Sequence, residues 1–303
     1  MKLATMLGDF SGYVKTPQES IELLSQTPFK YLDFSFGLCG KMDGDWRKQI
    51  EECGELAAKN NMKFIQAHST DINLFSAKHD HEEELCRFEK TLEACAMLGI
   101  PNVVVHPLTI DGVMYPDGRN DFFAFNKKVY EQFIPYMERF GVSVLIENSA
   151  EQNMGGKYFF MTGQEMKDFL TEMNHPLLKA VWDTGHANMR NNNQYEDIMA
   201  LGDELVGVHV HDNDGKVDEH TAPFMGIADF DNIIQGLIDV GYKGYFTLEA
   251  ENFPLHWRWP YKRRAYQETN RFLMPPLELK MEYEKLLYKT AKYLLDKFDI
   301  FEE

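Results

Sequence analysis

The sequence predicts an α/β chain folded as one (β/α)8 TIM barrel, and three observations carry that prediction. Strand-like and helix-like segments alternate from end to end, eight times in 303 residues, which is the count and length of a closed barrel. The strand-like runs, such as VVV at 103–105 and VLI at 144–146, are continuously apolar, as strands buried on both faces of a parallel sheet are. The turn after the first strand reads GDFSGY. It matches neither GxGxxG nor a P-loop, the phosphate-binding turns that an open, doubly wound sheet usually carries after an early strand.

The elements follow in order. KLATML opens as a strand, followed by the helical PQESIELLSQ. Strands KYLDFSF, MKFIQAHS and NVVVHP each precede a helix: residues 45–61, 81–99 and 121–141. SVLIENS, LKAVWDTGH, LVGVHVHDN and YFTLEAEN then alternate with helices at 162–173, 194–202, 229–241 and 277–298. The helical reading rests on period. Leu85, Phe88, Leu92 and Cys95 form one apolar stripe, and Tyr283, Leu287, Leu294 and Phe298 form another, each at the three-to-four spacing of a helix face. Gly99, Gly141 and Gly241 stand where helices should stop. Pro135, inside the fourth helix, should kink it. Residues 253–276 form an extended loop between strand eight and the last helix, longer than barrel connections usually are. No linker divides the chain, so residues 1–303 are read as one domain.

Composition narrows the function classes. A hydrophobic fraction of 44% supports a sizeable core, while no apolar run approaches the roughly 20 residues of a spanning helix. The first residues lack a cationic region followed by a long apolar stretch, so no signal peptide is expected and the location is read as cytoplasmic. A net charge of −17 opposes phosphate backbones, arguing against nucleic acid as a partner, and its field favours divalent cations. The four cysteines form no CxxC pair and are read as free thiols.

The chemistry lies in the polar residues that end the strands. All strands of a parallel barrel open their C-terminal ends on one face, where the active site forms. Strands three to eight bring His68, His106, Glu147, Asp183 with His186, His209 with His211 and Asp212, and Glu249 with Glu251 to that rim. Carboxylates and imidazoles gathered there repel one another or stay unsatisfied unless a cation compensates them. Mixed nitrogen and oxygen ligands suit Mn, Zn, Co or Fe better than Ca. Asp218 and His220, two apart in the loop after strand seven, would add ligands. His211 is either a partner behind the ligands or a satisfied core histidine. In the long loop, Trp257 offers a face to a sugar ring and Arg258 a fork to an anion.

HAN after WDTG, the HVHDN run, the DxH ahead of a glycine turn, and the final LE resemble the xylose isomerase-like barrel superfamily. That group includes sugar phosphate isomerases and epimerases, ketose 3-epimerases and the endonuclease IV family. The resemblance implies a divalent-metal enzyme, with Mn, Zn, Co or Mg and between one and three ions. The epimerase pattern places one metal on Glu147, Asp183, His209 and Glu249, with Glu147 and Glu249 also the catalytic acid/base pair. The endonuclease IV pattern adds His68, His106, His186, Asp218 and His220 as ligands. In the isomerase reading His186, His68, His106, Trp257 and Arg258 instead bind substrate, a sugar, sugar phosphate or polyol that reacts through a metal-stabilised enediolate. The alternatives are a multi-zinc phosphodiesterase and a metal-dependent dehydratase or lyase. A homodimer or homotetramer is the expected assembly.

Overall fold

A computed structural model describes residues 1–70, 72, 74, 80–252 and 275–303. Eight parallel strands close into a barrel in chain order: β1 (Leu3–Met6), β2 (Tyr31–Ser35), β3 (Lys63–His68), β4 (Asn102–Val104), β5 (Ser143–Glu147), β6 (Leu178–Asp183), β7 (Leu205–Val210) and β8 (Phe246–Leu248). β1 pairs with β8, with Ala4 opposite Thr247, and this pairing closes the ring. The helices between strands are α1 (Pro17–Leu24), α2 (Trp46–Lys59), α3 (His81–Leu98), α4 (Arg119–Phe140), α5 (Gly163–Met173), α6 (Thr184–Met189), α7 (Gln194–Leu201), α8 (Phe230–Asp239) and α9 (Leu277–Asp296). Among the described residues no helix is long and apolar enough to cross a membrane.

Local chemistry sets the helix ends. Thr16, Asp80 and Asp229 accept hydrogen bonds from the backbone N–H three residues on, at the starts of α1, α3 and α8. Thr162 and Glu165 form a reciprocal capping box on α5. α3 and α4 stop at Gly99 and Gly141, both left-handed. α4 runs through Pro135 without interruption. The carbonyl this proline leaves without its helical donor belongs to Glu131, an exposed residue that water can serve.

Strand alternation sorts the barrel side chains into two sets. One set faces the helices and joins the main core, including Val103, Val144, Ile146, Trp182, Val208 and Val210. Trp182 is buried there, its indole N–H bonded to Gln194 Oε1 at 3.1 Å. The other set faces the barrel axis. Val104, Leu145 and Val181 form a separate small apolar cluster, and His106, Glu147 and Asp183 lie two residues further along the same strands. The metal-ligand types therefore sit one layer above an apolar floor. Gly207 belongs to the floor layer: a Cβ there would come within 2.4 Å of Gln66 Oε1.

One wall of the rim is tied into the core by aromatic rings. Phe122 on α4 packs against Tyr158 and Phe160, each at 5.1 Å between centroids, and Phe160 against Phe169 on α5 at 5.1 Å. The segment after β5 is thereby held on α4 and α5.

Candidate metal centre

Every candidate ligand within the described residues reaches the same face. Four groups each bring ligand atoms within 4.8 Å of one another: Glu147, Asp183, His209 and Glu249; His68, His106 and Glu147; His68, His209 and Glu249; and His186, His211, Asp218 and His220. Trp257 and Arg258 lie outside the described residues.

Glu147 is the hinge of the arrangement. Its Oε1 lies 2.7 Å from His209 Nδ1 and its Oε2 2.7 Å from His106 Nε2. Glu249 Oε2 approaches the same His209 Nδ1 at 2.9 Å. His106 and Glu249 stand just past the ends of β4 and β8, which are shorter than the sequence pattern implies.

Asp183 ends β6 and caps α6, its Oδ1 accepting the His186 N–H at 2.6 Å. This short helix, built from TGHANM, turns His186 back over the rim. His186 Nε2 sits 3.1 Å from Asp218 Oδ2 and His220 Nε2 3.3 Å from Asp218 Oδ1. His211 Nε2 lies 3.1 Å from Asp183 Oδ1, and its ring stacks on His220 at 4.0 Å. Gly185 makes that approach feasible, since a Cβ there would fall 1.9 Å from the His211 ring. Asp212 fixes the loop that carries Asp218 and His220: its backbone pairs with Thr221, and its carboxylate accepts the N–H groups of Gly226 and Ala228.

The electrostatics match a site built for cations. Burial would raise the Glu147 carboxyl, but His209, His106 and His68 hold it well below the usual carboxylate range. Glu249 and Asp218 are lowered in the same way against the cost of burial, by His209 and by His220 with His186. Burial disfavours charge on His186, yet Asp183 and Asp218 push it up to about 10. His209 and His220 are raised for the same reason. The imidazolium protons thus stand where metal ions would compensate the carboxylates. Asp183 Oδ2 and His211 Nδ1 are buried without a hydrogen-bond partner among the described residues. Such atoms are rare in native proteins and call for a bound species. The donor set of imidazoles and carboxylates fits Zn, Mn or Co.

Sequence reasoning missed two contributors and left His211 open. Asp33, fully buried in β2, puts Oδ2 3.5 Å from His209 Nε2 and accepts the Gln66 amide at 2.6 Å. The same Gln66 amide nitrogen lies 2.9 Å from His209 Nε2, so Asp33 and Gln66 together hold the ring from behind. A lone aspartate inside the apolar run of β2 was the available signal. Partners behind a metal-binding histidine fix its tautomer and typically matter 10–100-fold. Asp33→Asn is therefore expected to weaken metal binding by about 10–100-fold without unfolding the barrel, as read by chelator competition.

The rim opens into a cavity of about 630 Å³. His68, His106, Glu147, His186, Asp218, His220 and Glu249 form its polar floor, and Leu108, Met154 and Phe159 contribute apolar wall.

The fold is a closed parallel barrel with histidine and carboxylate clusters over its C-terminal rim. The family described as xylose isomerase-like TIM barrel matches residues 21–274, and the chain belongs to it. An uncharacterized protein of Methanocaldococcus jannaschii is 25% identical over 240 residues, 78% of this chain and 88% of that one. Fructoselysine 3-epimerase of Escherichia coli O157:H7 is 35% identical over 86 residues, 27% of this chain and 31% of the enzyme. A probable endonuclease 4 of Citrifermentans bemidjiense is 26% identical over 167 residues, 49% of this chain and 56% of that protein. Among solved structures, the IolI protein with a bound zinc atom superposes with a TM-score of 0.74 at 17% identity, covering 98% of this chain and 99% of that one. D-psicose 3-epimerase from Clostridium cellulolyticum H10 with D-tagatose gives a TM-score of 0.72 at 16% identity, covering 97% and 99%.

Proposed function

We propose that this protein is a divalent-metal-dependent isomerase or epimerase of a sugar, sugar phosphate or related polyol. The observation that carries the reading is the placement of two carboxylates, Glu147 and Glu249, on one imidazole nitrogen, His209 Nδ1, at 2.7 and 2.9 Å. They come from β5 and from the end of β8, so a substrate seated between them meets one on each side. Glu147, Asp183, His209 and Glu249 would hold a divalent ion, which when bound would supply Lewis acidity to the substrate. One glutamate takes a proton from the carbon beside the carbonyl, and the other returns a proton to the opposite face. His186, held through Nδ1 by the Asn148 carbonyl at 2.9 Å, turns Nε2 toward the cavity and Asp218 to hold a substrate hydroxyl. The match to fructoselysine 3-epimerase and the epimerase folds of the structural neighbours support this class.

Glu249→Gln is expected to lower ketose turnover by about 10²–10⁴-fold, the usual worth of a positioned acid or base, while the protein keeps most of its metal. A metal-loaded wild-type protein that leaves a panel of ketoses and ketose phosphates unchanged would sink the proposal.

A second reading, phosphoester hydrolysis with several ions, draws on the cluster of His186, His211, Asp218 and His220 beside the first and on the endonuclease 4 match. Paired ions can stabilise both the attacking and the leaving oxygen at phosphorus. The net charge of −17 weighs against nucleic acid as the substrate. Metal content separates the two: about one ion per chain supports the isomerase, and two or three zinc ions with phosphodiesterase turnover support the hydrolase.

A further inference from the structure

A smaller cavity of about 240 Å³ lies beside the main one and shares His68 and Glu249 with it. Its remaining polar wall comes from the turn after β1 (Asp9, Ser11), from Ser35 at the end of β2, from Ser69 and from Glu251. Two buried atoms of this wall, Ser35 Oγ and Glu251 Oε2, have no hydrogen-bond partner among the described residues, and the Asp9 carboxyl lies between the cavity and the buried Glu284 carboxyl. The nearest imidazole to Glu251 Oε2 is His220, at 3.4 Å. Polar capacity of this kind, buried at one small cavity, is costly unless a ligand or ordered water satisfies it.

The wall is braced from behind. Asp9 Oδ2 accepts the Thr5 hydroxyl. Lys280 on α9 pairs with the buried Glu284 and donates to the Glu251 carbonyl at 2.8 Å. Burial and the nearby Glu284 charge raise Asp9 well above the usual carboxylate range. A serine hydroxyl donates and accepts and carboxyl oxygens accept, which together complement another hydroxyl.

We infer that this side cavity is a hydroxyl-binding subsite, in which Asp9, Ser35 and Glu251 hold the far end of a polyol chain whose reacting end lies at Glu147, His209 and Glu249. The inference rests on the sugar or polyol reading and adds to it a direction and a minimum length: the chain extends past the reacting carbons toward β1 and β2.

The test is the dissociation constant of xylitol and of glycerol for the metal-loaded protein, by titration calorimetry. Glycerol covers the rim alone, whereas xylitol also reaches the side cavity. Wild type is expected to bind xylitol about tenfold more tightly, the worth of one or two added hydrogen bonds. Ser35→Ala and Asp9→Ala, at wild-type metal content, should each cut that preference to within about twofold of equality if hydrogen bonding carries it. Asp9→Asn, which still donates and accepts, should keep it. Equal affinities in the wild type, or a preference that survives both alanine variants, would overturn the subsite. A cavity that holds only water gives the first of those results. Absence of ketose turnover beside an intact xylitol preference would sink the isomerase reading and leave the subsite standing.

Discussion

Glu147→Gln is expected to abolish turnover, by about 10³-fold or more within the range for a lost acid or base, and to strip metal from the rim at the same time. Its two oxygens serve different neighbours, His209 Nδ1 and His106 Nε2, each at 2.7 Å. An amide offers one acceptor and one donor and cannot serve two cation sites as a carboxylate does. The fold should survive, because the substitution removes a buried charge from a crowded set of carboxylates. The loss should exceed that of Glu249→Gln in metal content, since Glu147 is the more deeply buried of the two and uses both oxygens, on His209 and on His106, whereas Glu249 approaches His209 through one. Elemental analysis and circular dichroism on the same preparation check this. Full metal content with full activity would remove Glu147 from the centre.

Metal removal should destabilise the protein, and more so as pH rises. In the metal-free protein the imidazoles of His186, His209 and His220 have raised pKa values, so their ion pairs contribute fully below their ordinary value of 6.5. That contribution is lost as pH climbs toward the folded value, about 10 for His186. Glu147, Glu249 and Asp218 are lowered, so their share is present above the ordinary carboxylate range and is lost in acid. A bound divalent ion replaces the imidazolium protons and removes the alkaline decline. The gap in Tm between loaded and chelated protein should therefore widen from pH 6.5 upward. At a thousandfold excess of metal over Kd the stabilisation is about 4 kcal/mol, which corresponds to about 6 °C in a chain of this size. Differential scanning calorimetry across that range reads it directly, and a gap that narrows with pH would contradict the assignment of the protons.

The barrel was legible because its signal repeats. Eight apolar runs and eight amphipathic stripes need only local periods, and the Leu85–Phe88–Leu92–Cys95 face packs as its spacing predicts, with Phe88, Leu92 and Cys95 buried and Leu85 against the same core. The rim was legible for a related reason: strand ends in a parallel barrel converge by construction, so His68, His106, Glu147, Asp183, His209 and Glu249 needed no long-range information. What the sequence withheld was depth. Asp33 and Gln66 lie one layer below the rim, on strands where a single polar residue reads as an interruption. Their contact with His209 depends on the stagger between β2, β3 and β7, which no local pattern encodes. The six-residue α6 was equally hidden, because TGHANM has too few residues for a period and forms on the Asp183 cap. His211 stayed ambiguous because the His220 ring it stacks on arrives by a loop whose course Asp212 sets. Asp9, in a turn that sequence reading consulted only for a phosphate loop, drew no notice as a site residue.

The aromatic cluster of Phe122, Tyr158, Phe160 and Phe169 divides the mouth of the barrel into parts of unequal freedom to change. The wall it anchors, including Phe159, is an extension of the hydrophobic core, so altering it costs stability as core truncation does. Leu108, Thr109, Asn153 and Met154 border the same cavity without belonging to that cluster, and each is at least partly accessible. A lineage descended from this barrel would acquire new substrates chiefly at those four positions, keeping its metal ligands and its folding stability while the outline of the cavity drifts.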